Sequence, residues 1–395
     1  MSEPLILAAA VRTPIGKFGG ALSPLSAVDL GVAAAAACLE RAAVEPAIVD
    51  QVIFGHSRQA GSGPNTARQV AFRAGVPVER PAFTINQACG SGLQSVFAAA
   101  RAIRLGEARV VLAGGTESMS NTPYMLPRAR WGYRLGHAEL TDGMYRDGFD
   151  DPLSELVMGE TAEELAAEVG VDRQAADAYA ARSQQRCEAA RAEDRFAVET
   201  TPVTVPQRQG EIVVETDEHP RDGVDSESLA RLRPVFRDGG TVTAGNASGI
   251  TDGAAALLVA SESAAAEHNL RPMARLIDWQ VVGVEPRLMG IGPVRAVTAL
   301  LYRQGLDFDA IDEVELNEAF ASQVLACLRE LPFDDERVNP DGGAIALGHP
   351  IGCTGARILT TLLYGMERRG GRRGIATLCV SGGLGLAALV DREGC

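Results

Sequence analysis

The chain has 395 residues, 46% hydrophobic and 22% charged, which is typical of a globular protein with room for two or three domain-sized cores. Its formal net charge of −14 argues against non-specific binding to nucleic acid, and a polyanionic ligand would need a local basic patch. No apolar run approaches the ~18–20 residues that span a bilayer, so we expect no membrane segment. Residues 5–11 already have the pattern of a first strand, and we expect no signal peptide before them.

The seven cysteines are odd in number, scattered, and without Cys-x-x-Cys spacing. They therefore indicate neither a disulfide framework nor a zinc site, and we expect no metal. A reducing cytoplasmic location fits this usage. Three of them lie in apolar or alanine-rich helical segments and are predicted to pack in the core: Cys38, Cys187 and Cys327.

Strand-like and helical patterns alternate through the first 115 residues and again after about residue 250, which is typical of a layered α/β fold with buried sheets. The middle, from about Ser120 to Ala247, differs. Irregular loops lead into a helical hairpin, with a capping-box pattern at Thr161 and Glu164, and a β-like run follows at residues 203–214. We expect this part to be an insertion with its own small structure.

The two alternating regions resemble each other, which predicts duplicated halves. Residues 49–52 (Val-Asp-Gln-Val) match residues 311–314 (Ile-Asp-Glu-Val), and each match follows a helix and opens a strand. In this alignment Gly55 is the counterpart of Asn317.

The helices that begin near Cys89 and Cys353 follow these strands at similar distances. Each helix is followed by basic residues and by a strand that ends in Gly-Gly, at 114–115 and at 382–383. We therefore expect the two Gly-Gly turns to face each other. Active residues are expected to collect at the strand ends where the halves meet.

Cys89 lies at a sharp turn between a short strand at 82–85 and a helical pattern that starts at Leu93. Free N–H groups at a helix start, together with the helix dipole, favour the thiolate, which is the reactive form of cysteine. A buried core cysteine before a glycine-rich helix start explains this stretch equally well. The C-terminal third of the chain decides between the two interpretations.

Three residues in that third stand at strand ends or helix starts. Asn317 follows a strand at 314–316, His349 lies in a turn before a helix, and Cys379 closes a strand at 375–378. Each alone has a structural explanation, as a turn former, a structural histidine or a core cysteine. Together with Cys89 they supply two thiols, an imidazole and an amide, the groups that covalent acyl transfer with proton abstraction needs.

Long motifs extend this set over nearly the whole chain. They are Arg12-Thr-Pro-Ile-Gly-Lys-Phe18, Gly114-Gly-Thr-Glu-Ser-Met-Ser120, Met158-Gly-Glu-Thr-Ala-Glu163, Thr243-Ala-Gly-Asn-Ala-Ser-Gly249, Asn317-Glu-Ala-Phe320, Gly348-His-Pro-Ile-Gly352 and Cys379-Val-Ser-Gly-Gly-Leu-Gly385. In these motifs the chain resembles the thiolase family, which comprises acetyl-CoA acetyltransferases (acetoacetyl-CoA thiolases) and the related 3-ketoacyl-CoA thiolases.

The resemblance implies a five-layered α-β-α-β-α fold made of two similar halves with an inserted loop domain. Residues 1–119 with 251–271 would form the N-terminal half, residues 120–250 the loop domain, and residues 272–395 the C-terminal half. The loop domain would contribute coenzyme A and oligomer contacts. A C₂ dimer or a dimer of dimers, a homotetramer, is expected.

The resemblance also implies a ping-pong Claisen reaction that makes or cleaves 3-ketoacyl-CoA (2 acetyl-CoA = acetoacetyl-CoA + CoA). Cys89 would carry the acyl group as a thioester after activation by His349, and Cys379 would remove or return the α-proton. Asn317 would hold a water that forms one oxyanion hole with His349, and the backbone N–H groups of Cys89 and Ser381 would form the other. No metal or separate cofactor is implied, because coenzyme A enters as part of the substrate.

The same resemblance implies which residues contact coenzyme A. Residues implied to lie around the pantetheine are Ser248, Met158, Phe236, Met289, Ala319 and Phe320. Arg221 and Ser228 would lie near the adenine nucleotide. Core packing explains each apolar member equally well, and Arg221 alone reads equally as a solvated surface charge.

Two departures from the family pattern affect these expectations. Ser381 stands where the family commonly has the first glycine of Cys-x-Gly-Gly-Gly, which would strain the backbone if that position needs φ > 0. Val157 stands where acetoacetyl-CoA thiolases often have histidine, which weakens the short-chain assignment. A degradative 3-ketoacyl-CoA thiolase of broad chain length is therefore an alternative. From another class, so is a non-catalytic acyl-CoA- or lipid-binding protein on the same fold.

Overall fold

The computed structural model describes residues 3–394. The strands are β1 (Leu5–Arg12), β2 (Gly16–Lys17), β3 (Gln51–Gly55), β4 (Ala82–Ile85), β5 (Val110–Ser118), β6 (Tyr124–Met125), β7 (Thr141–Asp142), β8 (Asp150–Asp151), β9 (Leu156–Val157), β10 (Val203–Pro206), β11 (Glu211–Val214), β12 (Thr251–Ser261), β13 (Pro272–Gly283), β14 (Glu313–Leu316), β15 (Arg373–Val380) and β16 (Leu384–Asp391). The helices are α1 (Ala27–Ala42), α2 (Thr66–Arg73), α3 (Ser91–Arg104), α4 (Met158–Val169), α5 (Arg173–Ala192), α6 (Ser226–Ala230), α7 (Glu262–Glu267), α8 (Gly292–Gln304), α9 (Ala321–Glu330), α10 (Ala344–Leu347) and α11 (Ile351–Arg369).

A mixed sheet of ten strands runs through the molecule in the order β14-β15-β16-β13-β1-β12-β5-β3-β4, with β2 paired to β12. The stretch β1-β12-β5-β3 has the same order as the stretch β13-β16-β15-β14, and the two stretches join where β1 pairs with β13. In both, the equivalent pair is parallel: β3 with β5, and β14 with β15. The duplication predicted from the sequence is confirmed by this topology.

Side chains alternate along the strands between two different cores. In β5, Leu112 packs with α1 and α2, whereas Val111 packs with α3 and α11. In β15, Ile375 packs with α8 and α9, whereas Leu378 belongs to the core that contains α3 and α11. Because α3 and α11 lie between the two parts of the sheet, the layers run α-β-α-β-α, as the resemblance implied. Cys38, Cys187 and Cys327 are fully buried, as predicted.

One detail of the predicted repeat is wrong. The pair Gly114 and Gly115 does not end a strand, because β5 continues to Ser118. A side chain at Gly115 would place its Cβ 2.2 Å from the carbonyl oxygen of Gly352, near the start of α11. Glycine is required here for close approach rather than for a turn, and the first turn of α11 rests directly on β5.

The segment between β5 and β12 adds no strand to the ten-stranded sheet among the residues described. Its strands pair with each other as β6–β7, β8–β9 and β10–β11, and α4 and α5 form the predicted helical hairpin. The predicted capping box at Thr161 is wrong: α4 begins at Met158, and the Glu160 carboxylate accepts the N–H of Val157 at 2.9 Å. Within residues 3–394, no helix has both the length and the apolar character needed to cross a membrane.

Candidate active site

A cavity of about 520 Å³ lies where the start of α3, the end of β15 and the start of α11 meet the inserted segment. Its lining contains four of the predicted catalytic residues: Cys89, His349, Cys379 and Ser381. It also contains seven of the eight residues predicted to contact coenzyme A: Met158, Arg221, Phe236, Ser248, Met289, Ala319 and Phe320. Val157 lines it as well.

Cys89 stands at the tight turn between β4 and α3. Ala88 adopts a left-handed conformation (φ 44°), and its N–H donates to the side-chain oxygen of Asn86 at 3.1 Å. The Ser91 hydroxyl accepts the N–H of Gln87 at 2.8 Å, which closes the turn onto the helix start. Burial raises the pKa of the Cys89 thiol, while a nearby guanidinium and two backbone N–H groups, its own and that of Ser381, act in the opposite direction.

His349 precedes α11 and is held in one tautomer. Its Nδ1 lies 2.6 Å from the hydroxyl of Thr354, and that hydroxyl donates to the carbonyl of Pro350 at 3.0 Å. The proton between the two side chains therefore belongs to Nδ1, which leaves the lone pair on Nε2. Nε2 is buried and has no hydrogen-bond partner among residues 3–394. Burial, aided by the charges of Arg357 and Arg58, lowers the pKa of His349 to about 3, so the ring is a neutral base at pH 7.

Cys379 lies in β15, is 1% exposed, and packs with Met289 and Ala319. Burial raises the pKa of its thiol well above the usual value, and the neighbouring Cys89 adds to that rise. Two thiols that couple electrostatically therefore share this cavity.

Ser381 begins the turn between β15 and β16. The positive φ angles of this turn fall on Gly382 (80°) and Gly383 (81°), and Ser381 is not among the left-handed residues of the described chain. The backbone strain expected for a serine at a position with φ > 0 is therefore absent at Ser381. The Ser381 N–H lies at Cys89, where it lowers the pKa of that thiol.

Two predicted residues do not line the cavity. Asn317 is 1% exposed, its backbone N–H donates to Thr377 at 2.9 Å, and neither atom of its side-chain amide has a partner within the described part of the chain. Ser228 is exposed near the start of α6, where its N–H donates to Asp225 at 2.8 Å. The roles predicted for these two residues stay predictions.

Sequence reasoning missed five charged or titratable residues at the site. Lys17, Arg58, Tyr145 and His219 line the cavity, and Glu117 is fully buried beneath the loop that carries Arg58. The Glu117 carboxylate accepts the backbone N–H groups of Arg58 (3.0 Å) and Gly352 (2.8 Å), which ties the loop after β3 to the start of α11. The internal repeat contained a signal for Arg58: the alignment that pairs Gly55 with Asn317 also pairs Arg58 with Phe320, and both line the cavity.

Comparisons with known proteins agree with this geometry. Residues 5–263 match the family described as "Thiolase, N-terminal domain" and residues 270–392 match "Thiolase, C-terminal domain". The acetyl-CoA acetyltransferase of Thiocystis violacea is 49% identical, over 99% of this chain and 100% of that protein. The Bacillus anthracis acetyl-CoA acetyltransferase structure has a TM-score of 0.96 and 44% identity, over 99% of both chains. Human mitochondrial 3-ketoacyl-CoA thiolase in complex with CoA has a TM-score of 0.95 and 43% identity, over 98% of both chains.

The fold has two similar halves in layers, and one cavity brings together two thiols and a neutral imidazole, the groups that acyl transfer through cysteine uses. The two family matches and the full-length identity go further: the chain belongs to the thiolase family. It is therefore an enzyme of the thiolase class.

Proposed function

We propose that this enzyme makes or cleaves 3-ketoacyl-CoA, with 2 acetyl-CoA = acetoacetyl-CoA + CoA as the shortest case, in two half-reactions through an acyl-Cys89 thioester. The single observation that carries the proposal is the meeting of Cys89, His349 and Cys379 in one cavity. A non-catalytic acyl-CoA-binding protein would have no use for two thiols beside an unpaired imidazole nitrogen.

The first half-reaction needs a base because burial keeps Cys89 in the thiol form. His349 Nε2 takes the proton of Cys89, and the sulfur attacks the thioester carbonyl. The N–H groups of Cys89 and Ser381 stabilise the oxygen that becomes negative. Coenzyme A then leaves as a thiol with the proton that His349 held.

In the second half-reaction, the neutral His349 takes the thiol proton of Cys379, and the Cys379 thiolate removes the α-proton of a second acetyl-CoA. The enolate carbon attacks the acyl carbon on Cys89, the bond from that carbon to Cys89 Sγ breaks, and His349 returns its proton to the sulfur. In the cleavage direction Cys379 returns the α-proton to the enolate. Asn317 and His349 hold a water that stabilises the enolate oxygen, a role supported by the unpaired amide of Asn317 and the unpaired Nε2 of His349.

Coenzyme A enters as part of the substrate, and neither a separate cofactor nor a metal takes part in this scheme. The pantetheine lies along Ser248, Met158 and Phe236, with Met289, Ala319 and Phe320 beside it. Arg221 and Ser228 are proposed to contact the adenine nucleotide. The CoA complex of the human relative supports coenzyme A as the ligand.

A degradative thiolase of broad chain length is the second candidate. Two features of the cavity favour it: Val157 adds apolar surface, and Met119, Phe149 and Ile351 line an apolar end next to Cys89. Specificity constants for thiolysis over C4 to C16 ketoacyl-CoAs decide between the candidates. A sharp optimum at C4 supports the acetoacetyl enzyme, and a plateau across the longer chains supports the degradative one.

We propose a dimer, or a dimer of dimers, and a cytoplasmic location. The irregular insertion exposes several large apolar side chains, which supports contacts between subunits. The six described cysteines are all free, which supports a reducing compartment.

A further inference from the structure

Arg58 is a buried cation in the cavity without a protein partner for most of its donors. The residue is 4% exposed, and its Nη1 donates to Ser57 Oγ at 3.0 Å. Its Nε and Nη2 have no hydrogen-bond partner anywhere in residues 3–394. The ring of Phe149 covers the guanidinium at 5.5 Å. Arg12, a comparably buried arginine, is instead satisfied by Glu199 and Asp217 at 2.6 Å each.

Glu117 attracts Arg58 through its charge but accepts no hydrogen bond from the guanidinium. Glu117 spends its two oxygens on the backbone N–H groups of Ser57, Arg58 and Gly352, and on the His56 ring at 3.2 Å. A buried guanidinium with unmatched donors is costly, and such groups persist where a ligand completes their hydrogen bonds. In a protein of net charge −14, a cation that lines the cavity is suited to an anion.

The position of Arg58 indicates which part of a substrate it would meet. The N–H groups of Cys89 and Ser381 lie at the Cys89 sulfur and would hold the acyl oxygen. An acyl chain on Cys89 would then lie against the apolar group with which Cys89 packs, Met119, Met144, Phe149 and Ile351. Phe149, a member of this apolar group, also covers the guanidinium of Arg58. The Arg58 charge acts on the Cys89 thiol, so an acyl chain that carries a terminal acceptor has the guanidinium near it, whereas an acetyl group has no such acceptor.

We propose that Arg58 binds a carboxylate at the end of the acyl chain, so that the enzyme acts on 3-oxo-dicarboxylyl-CoA thioesters. This inference rests on the proposed function and specifies its substrate class. In the acylation step a bond forms between Cys89 Sγ and the carbonyl carbon, and the bond from that carbon to the CoA sulfur breaks. The Cys89 proton passes through His349 to CoA, and the acyl carboxylate stays ionised on Arg58.

The acylation half-reaction tests this with two chains of equal length. Succinyl-CoA and butyryl-CoA differ at the end of the chain, carboxylate against methyl, and rapid quenching with intact-protein mass gives the rate of adduct formation on Cys89. We expect the wild type to prefer succinyl-CoA by at least tenfold. The variant Arg58→Met should reduce that preference by on the order of 10- to 100-fold, the value of a charge-assisted hydrogen bond. Arg58→Lys keeps the positive charge but loses the planar set of N–H donors of the guanidinium, so it should retain part of the preference for succinyl-CoA.

Arg104→Met is the matched control, because Arg104 also stacks on an aromatic ring, 4.5 Å from Trp279, but lies outside the cavity lining. Its ratio of succinyl to butyryl transfer should equal that of the wild type. Equal rates for the two thioesters in the wild type would overturn the inference and need no variant. An equal fall of both rates in Arg58→Met would also overturn it and would assign Arg58 to the activation of Cys89. Acetyl transfer from acetyl-CoA to the wild type reports on the proposed function separately.

Discussion

At the scale of single residues, the site depends on buried groups whose protonation is set by their surroundings. His349 is neutral because its ring is buried near two arginines, and its free nitrogen is fixed by Thr354. Cys89 and Cys379 are thiols because burial raises the pKa of each, so each needs a proton acceptor before it can react. In each half-reaction, a base must therefore first remove the proton from the thiol that reacts.

Replacing Cys379 should separate the half-reactions. In Cys379→Ser, acetyl transfer from acetyl-CoA to Cys89 should persist, because that step uses His349 and the N–H groups of Cys89 and Ser381. Condensation should fall by roughly 100- to 10,000-fold, because a hydroxyl is a far poorer base than a thiolate. Stopped-flow acylation and steady-state condensation measure the two steps. An equal loss of both would mean that Cys379 is structural.

The buried His349 also predicts how stability depends on pH. Its pKa is about 3 in the folded protein and about 6.5 in the unfolded chain, so between these values the unfolded chain binds more protons. Stability therefore falls as the pH drops below 6.5, by about 2 kcal/mol from this group between pH 8 and pH 5. His349→Asn keeps a polar atom near Thr354 and should remove that part of the loss in urea unfolding. An identical pH dependence in wild type and variant would count against a buried neutral ring.

At the scale of elements, the sequence predicted the site better where motifs coincide with strand ends and helix starts. Cys89, His349, Cys379 and Ser381 do so, and all four line the cavity. Arg58 escaped prediction because the loop after β3 carries no periodicity and its pairing with Phe320 in the internal repeat was a weak signal. Its contacts with Glu117 and Phe149 show its place. Which donors stay unpaired depends on packing between distant segments, and local sequence patterns do not record that.

The contact between β5 and α11 gives a prediction at this scale. Gly115→Ala should destabilise the protein by roughly 1–3 kcal/mol and lower turnover, because the new Cβ displaces the first turn of α11, next to His349. Gly283→Ala is the matched control: Gly283 ends β13, and a Cβ there meets nothing within 4 Å among the described residues. Thermal unfolding and turnover of both variants give the comparison. Equal behaviour of the two would show that α11 does not depend on this approach.

At the scale of the whole molecule, the sequence predicted the α/β alternation and the duplicated halves. It did not predict that the two parts of the sheet join through β1 and β13. That pairing depends on the register between segments about 270 residues apart, Ile6 with Arg275, which no local pattern specifies. The Gly-Gly match was misleading for a related reason. One pair provides space for a helix and the other forms a turn, although the letters are identical.

The exposed apolar side chains of the insertion predict self-association. Trp131 is 86% exposed, Leu135 100% and Tyr124 64%, all within one irregular segment. Burying these side chains between subunits is favourable by about 25 cal/mol for each Å² of apolar surface. Light scattering should give two or four times the 41.5 kDa of the chain. A stable and active species with the mass of one chain would contradict this prediction.

The acyl-Cys89 intermediate is the central claim, and intact-protein mass after a short incubation with acetyl-CoA tests it most directly. The wild type and Cys379→Ser should each gain one acetyl group, which peptide mapping locates on Cys89. Cys89→Ala should gain none, because the cavity offers its remaining thiol, Cys379, no helix start and no pair of N–H donors. A wild type that stays unmodified, or an acetyl group carried by Cys89→Ala at the same rate, would contradict the account.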